Sequence, residues 1–374
     1  MSESKYSRRR KTVAAELGAR GLAAAMFSDF ELGRDSSLRY LCGQPSDAML
    51  ILSENGASAL IAWDVNMAQR LGDADHILAY TDFGRQASDA LRAALELLGV
   101  PKGSKIAVPA ATTYPDYIDL VQALDEYDLI CERGGLSIFV SNMRAVKDAD
   151  EIELYREIAA RTDLLIDMVE KDISAGMLST ELDVALFLER EARKMGAEGM
   201  GFETLAAGPG RSFGIHAFPA FTSGAFANSG LSILDFGARF EGYTSDVTMS
   251  FIGDSVSPEQ KAMIDLVEEA HRIAVEAYGP GVPYLKVATL VDDLFKKAGW
   301  VMPHSLGHGI GLDAHEAPAL SMRAPRESIM QPGHIVTVEP GLYHPEFGGV
   351  RLENDVLITD TGSEMLTHSR IVRL

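Results

Sequence analysis

Two spacings of apolar residues alternate along positions 1–135, and each spacing predicts a different kind of element. In "RRRKTVAAELGARG" the apolar positions recur with a helical period, and Gly21 is placed to end that helix. The unbroken apolar run "LAAAMF" that follows predicts a strand. "DAMLILSENGASALIAW" predicts two strands joined around Asn55-Gly56, a dipeptide suited to a tight hairpin turn. "ASDALRAALELLGV" predicts an amphipathic helix stopped at Gly99, and "KIAVPA" a short buried strand. Together these pieces make an α/β domain of modest size.

From "MRAVKDADEIELYREIAARTDLLIDMVEKDI" onward the pattern becomes that of one long helix. Asp148, Asp150 and Glu151 lie near its start, where acids suit the positive end of the helix dipole. The boundary therefore falls between positions 135 and 148, dividing the chain into an N-terminal domain, 1–140, and a larger one, 141–374. A second long helix is predicted in "STELDVALFLEREARKMGA", with Ser179 as its cap. A third, "SPEQKAMIDLVEEAHRIAVEAY", opens on Ser257-Pro258, a cap followed by proline. β-Hairpins fill the rest.

Composition narrows the partners. With 47% hydrophobic and 24% charged residues, the chain reads as an ordinary globular protein. A formal net charge of −20 argues against nucleic acid or an anionic membrane as partner, because both need a basic surface. Two cysteines, Cys42 and Cys131, are too few and too far apart for a disulfide framework or a thiolate metal site. No apolar run reaches the length of a membrane span, and Glu16 and Arg20 interrupt the only apolar stretch near the start. A cytoplasmic protein is expected.

Two hairpins carry the candidate chemistry. "LSILDFGARFEGYTSDVTMSFIG" turns near Glu241-Gly242, with Asp235 at the end of the first strand and Asp246 in the return. A turn centred between Phe240 and Glu241 makes the two aspartates face each other; a register shifted by two makes them diagonal neighbours on one face. In "HIVTVEPGLY" and "VRLENDVLIT", Glu339 and Glu353 are likewise symmetric about a turn near Glu346. Carboxylates forced together repel unless a cation lies between them. Between the hairpins, "HSLGHGIGLDAHE" holds His304, His308 and His315. Its alternating Gly307, Gly309 and Gly311 disfavour a helix and suit an extended chain closely approached by another backbone or a ligand. Four carboxylates with one imidazole suit Mn, Co or Fe in two-metal form, Zn less distinctively, and such a pair provides a nucleophile at neutral pH.

In order and spacing, "LDFGARFEGYTSDVT", "HSLGHGIGLDAHE", "TVEPGLY" and "GVRLENDVLIT" resemble the four metal-site blocks of the creatinase/aminopeptidase P/prolidase family. The resemblance spans roughly residues 140–374, and the N-terminal part resembles that family's smaller α/β domain more loosely. It implies an α/β (α+β) protein with a C-terminal pita-bread catalytic domain of two pseudo-symmetric halves. It implies two divalent metal ions, Mn first, with Co, Zn or Fe as alternatives. Their ligands would be Asp235, Asp246, His308, Glu339 and Glu353, with Asp246 and Glu353 bridging. Glu339 would also handle the proton of the attacking water, and His315 and His304 would face the substrate. Tyr343 and Arg351 match residues lining the cleft. His216 corresponds to a histidine upstream of the first aspartate, at a longer spacing and with Ile215 where proline is common. Met249 stands where the family often has arginine.

The reaction the resemblance implies is hydrolysis of Xaa-Pro bonds, by a dipeptidase (prolidase) first and an aminopeptidase P as the alternative. Methionine aminopeptidases share the metal set but typically lack the extra N-terminal domain. Creatinase-type amidinohydrolases work without the metals, and non-enzymatic binding modules of this fold would be expected to lose ligands. The intact set of five argues against both. A proline-containing peptide is the expected partner and a homodimer the expected assembly. His76, His271, His334, His344 and His368 are expected to be surface or structural.

Overall fold

A computed structural model describes residues 3–31 and 33–374. The chain divides into two compact units, Met1–Met143 and Arg144–Leu374.

In the first unit the described residues form a sheet of six strands. Their spatial order is His76–Ala79, Ser58–Ala62, Ala48–Ser53, Ala24–Asp29, Lys105–Ala107, Asp128–Ile130. The Asn55-Gly56 hairpin forms with Met49 opposite Ile61, and Gly56 takes the positive φ of 88° that its turn needs. Helix Lys5–Arg20 ends at Gly21, which is left-handed at φ 64° and returns its N–H to the last helical carbonyls. Helix Ala87–Leu97 lays Ala90, Leu91, Ala94 and Leu95 onto the sheet against Met49, Ile51, Ile61 and Ile106. Each fully buried leucine of that stripe contributes about 1.5–3 kcal/mol.

The second unit repeats one arrangement twice. Helices Ala149–Ser174 and Glu181–Lys194 accompany strands Leu231–Phe236 and Val247–Ile252; helices Pro258–Ala277 and Tyr284–Lys297 accompany strands Ile335–Val338 and Asn354–Ile358. Met263, Val267, Val291 and Phe295 of the second helix pair pack on Val336, Val338, Val350 and Val356, which fixes the sheet that carries both glutamates.

Two local expectations change. The long helix begins at Ala149, so "MRAVK" does not continue into it. Asp148 caps it, accepting from Glu151 N while the Glu151 side chain accepts from Asp148 N, both at 3.0 Å. The residues just before are spent elsewhere: Val146 bridges His334, and Lys147 N donates to Gly333 O at 2.9 Å. Likewise Thr180, not Ser179, caps helix Glu181–Lys194. Thr180 places Asp183 three residues on, where its carboxylate can return the hydrogen bond; Ser179 would place Leu182 there.

Candidate active site

Register decides how the acids meet. Strand Leu231–Phe236 pairs antiparallel with Val247–Ile252 so that Asp235 lies opposite Thr248. Asp246, two residues from Thr248 on the same face, is therefore the diagonal neighbour of Asp235, and the directly facing alternative is not realised. In the other hairpin Val338 pairs with Asn354 and Gly341 with Arg351, so Glu339 and Glu353 fall opposite each other between them. The two hairpins are stitched together. Glu353 N donates to Thr248 O at 3.1 Å, Thr248 Oγ1 to Glu353 Oε2 at 2.7 Å, and Ser250 Oγ to Arg351 O at 2.8 Å.

Glycines bring the histidine strand in close. A Cβ on Gly307 would run into the Thr337 carbonyl, one on Gly309 into that of Ala317, and one on Gly311 into the Glu316 carboxylate. His308, in strand Gly307–Gly309, thereby reaches the acids: its Nε2 lies 3.7 Å from Asp246 Oδ2 and 3.5 Å from Glu339 Oε1. Its Nδ1 faces the Gly309 carbonyl at 3.1 Å. A carbonyl only accepts, so Nδ1 carries the proton and Nε2 presents a lone pair to the carboxylates.

The acids cannot all be ionised as they stand, since two unit charges about 4 Å apart repel by roughly 4 kcal/mol even at an effective dielectric of 20. Burial, reinforced by Glu353 and Asp235, pushes Asp246 well above the usual carboxylate range; burial and Glu353 do the same to Glu339. Glu353 is pushed up to about 7 by burial and Asp235. Burial, with His315 beside it, pulls His308 down to about 4, so its imidazole is neutral and available as a ligand. Ligand atoms of Asp246, His308 and Glu353 lie within 4.8 Å of one another, and Asp235 Oδ1 is buried with no hydrogen-bond partner. Clustered oxygens, one neutral imidazole and an unsatisfied carboxylate oxygen make a donor set that fits hard divalent cations. Glu339 adjoins this group through His308, and the other oxygen of Asp235 is held by Arg351 Nη2 at 2.5 Å.

A cavity of about 560 Å³ opens over this cluster, lined by His216, His304, His308, His315, Arg351 and the four acids. Phe202, Leu205, Ile215 and Phe218 supply an apolar wall. Arg351, 2% exposed, donates to Tyr343 OH at 2.8 Å as well as to Asp235. His304 Nδ1 faces the Ser305 carbonyl at 2.8 Å, so its Nε2 accepts from Tyr343 OH at 3.1 Å. Burial, with help from Arg351, brings His304 down to about 4, and burial lowers His315, whose ring centroid is 4.1 Å from that of His308. Of the predicted site residues, Tyr343 lies behind the lining, bonded to Arg351 and His304, while His216 lines the cavity from an exposed turn. Met249 is fully buried on the opposite face of its strand from Asp246 and Thr248, so it borders the core and not the cleft. Thr248 was not singled out in the sequence. Hydroxyls at alternate positions of a wholly buried strand, Thr248 and Ser250, were the available signal.

Residues 153–360 match metallopeptidase family M24. The chain is 33% identical over 260 residues to a Bacillus subtilis protein described as an uncharacterised peptidase, YqhT, covering 69% of this chain and 70% of that one. It is 31% identical over 250 residues to the Xaa-Pro dipeptidase of Pyrococcus furiosus, covering 66% and 70%. Another Bacillus subtilis relative, 33% identical over 230 residues, is matched over only 62% of its length. The crystal structure of the X-Pro aminopeptidase from Thermotoga maritima superposes with a TM-score of 0.84 at 27% identity, covering 98% and 99% of the two chains. The chain belongs to metallopeptidase family M24, the creatinase/aminopeptidase P/prolidase group; its second unit has the pita-bread fold, and its smaller first unit is α/β. It is a hydrolase, a metallopeptidase, and Asp246, His308 and Glu353 form a group that could hold a metal ion. Among the described residues no helix is long and apolar enough to cross a membrane.

Proposed function

We propose that this metallopeptidase hydrolyses Xaa-Pro bonds as a dipeptidase, using two divalent ions held by Asp235, Asp246, His308, Glu339 and Glu353, manganese first among them. One observation carries the reading: five donors from two hairpins and the histidine strand converge at the floor of one cavity, with carboxylates that burial and mutual repulsion leave poised for a cation. Bound there, divalent cations neutralise the acids and supply Lewis acidity toward a scissile carbonyl.

The chain's own residues do the rest. Glu339 takes a proton from the attacking water and delivers it to the departing proline nitrogen, which has no N–H and must be protonated to leave. His315 donates a hydrogen bond to the oxyanion that develops on the carbonyl. Arg351 holds Asp235 and Tyr343, Tyr343 orients His304, and His304 and His216 border the peptide. The apolar wall of Phe202, Leu205, Ile215 and Phe218 suits the proline ring and an apolar neighbour.

A second reading, aminopeptidase P, is favoured by a different observation. The arginine of the cavity is committed to Asp235 and Tyr343, so among the described lining residues a dipeptide's C-terminal carboxylate meets histidines but no uncommitted arginine or lysine. Comparing proline release from an Xaa-Pro dipeptide with cleavage of an Xaa-Pro-Xaa tripeptide decides between them. Preference for the dipeptide is the expected result; preference for the tripeptide assigns the aminopeptidase. A homodimer in the cytoplasm is part of the same proposal, to be checked by sedimentation and cell fractionation.

A further inference from the structure

On the proposed role of His315 at the substrate, we infer that Arg144, Lys147 and Glu316 form a buried clamp that positions its ring. His315 ends a turn between strands Gly307–Gly309 and Glu316–Leu320, where a side chain would ordinarily be free to wander. The next residue prevents this. One Glu316 oxygen accepts from Arg144 Nη2 and the other from Lys147 Nζ at 3.1 Å, and the Glu316 side chain is only 6% exposed. The same Arg144 Nη2 lies 2.6 Å from Asp313 Oδ2, so a single guanidinium grips the turn on both sides of His315. Both cations are themselves buried.

The turn is closed from within by Gly311 N donating to Asp313 O at 3.0 Å, and tied down by Thr244 N donating to Gly311 O at 3.0 Å. Gly311 leaves room for the Glu316 carboxylate, which a Cβ there would strike. Burying three charges to hold one turn is a poor way to gain stability, because apolar packing would hold it without the desolvation cost. What ion pairs of fixed direction provide is orientation, and a ring that must meet an oxyanion within about 0.5 Å needs it. Arg144 comes from the last turn of helix Leu136–Ala145 and Lys147 from just past its end, so the pair in "MRAVK" is carried by a helix terminus.

The test is a double-mutant cycle on kcat with Glu316→Gln and His315→Ala, read with KM and melting temperature. Glu316→Gln is expected to lower kcat about 10- to 100-fold with KM little changed. In the His315→Ala background it should cost almost nothing more, because the ring it positions is gone. Asp313→Asn, at a half-exposed site that leaves folding intact, should give a smaller loss of the same kind. An equal loss from Glu316→Gln in both backgrounds, or unchanged kcat in Glu316→Gln and Asp313→Asn while His315→Ala is inactive, overturns the clamp alone. A fully active His315→Ala overturns the role of His315 and the clamp with it.

Discussion

Charge and burial divide the roles among single residues at the floor of the cleft. Glu339 lies within reach of both His308 and His304, at 3.5 and 3.7 Å, and burial holds its carboxyl well above the usual range, which suits a group that must take up and return a proton. Glu339→Gln is therefore expected to lower kcat on an Xaa-Pro substrate by about 10²–10⁴-fold; near-normal turnover in that variant removes its assigned role. Two histidines away from the cavity lining test the electrostatics of the fold itself. Burial pulls His271 and His334 down to about 4 from the ordinary 6.5. Below about pH 6.5 the unfolded chain binds protons that these buried rings refuse, so their contribution is fully present above that pH and lost as pH falls towards 4. The loss is on the order of 2–3 kcal/mol for each ring. Urea unfolding of the protein and of His271→Gln across this window should show a shallower pH dependence in the variant.

Among elements, patterning read best where one face of a strand or helix is buried. The Asn55-Gly56 hairpin, the Gly21 stop and the Ser257-Pro258 start appear as the apolar spacing predicts, because turn and cap chemistry there is local. The acid hairpins are legible as pairs, yet the choice of the diagonal arrangement for Asp235 and Asp246 lies in the folded register, since a one-residue move of the turn shifts the register by two. "MRAVK" reads as helix because Met143, Arg144 and Ala145 do end one, Leu136–Ala145, but the break at Val146 and Lys147 is set by Gly333 and His334, which are remote in sequence. Thr248 was silent for the same reason: the acid it bonds, Glu353, lies in the other hairpin. The alternating glycines did signal close approach. Gly309→Ala drives a methyl into the Ala317 carbonyl, so we expect at least about 1–3 kcal/mol of destabilisation and a loss of kcat as the His308 strand shifts. A melting temperature equal to the parent's contradicts that reading of the segment.

For the whole molecule, the fold joins two half-sites whose acids are unfavourable alone and complementary only around a cation. A chain of net charge −20 that concentrates four carboxylates in one cavity should be stabilised when metal binds. Chelator-stripped protein given Mn²⁺ at about 100 times its dissociation constant is expected to gain about 2.7 kcal/mol, read as a rise in melting temperature. The proposed Xaa-Pro specificity is a property of this whole assembly, the apolar wall together with Glu339, the proposed proton carrier, in the same cavity. Its most direct test is proline release from an Xaa-Pro dipeptide by chelator-stripped protein, before and after Mn²⁺ is restored, with Xaa-Ala as control. The account predicts no release without metal, release with it, and little cleavage of Xaa-Ala. Release that is indifferent to metal, or none in fully metal-loaded protein, contradicts it.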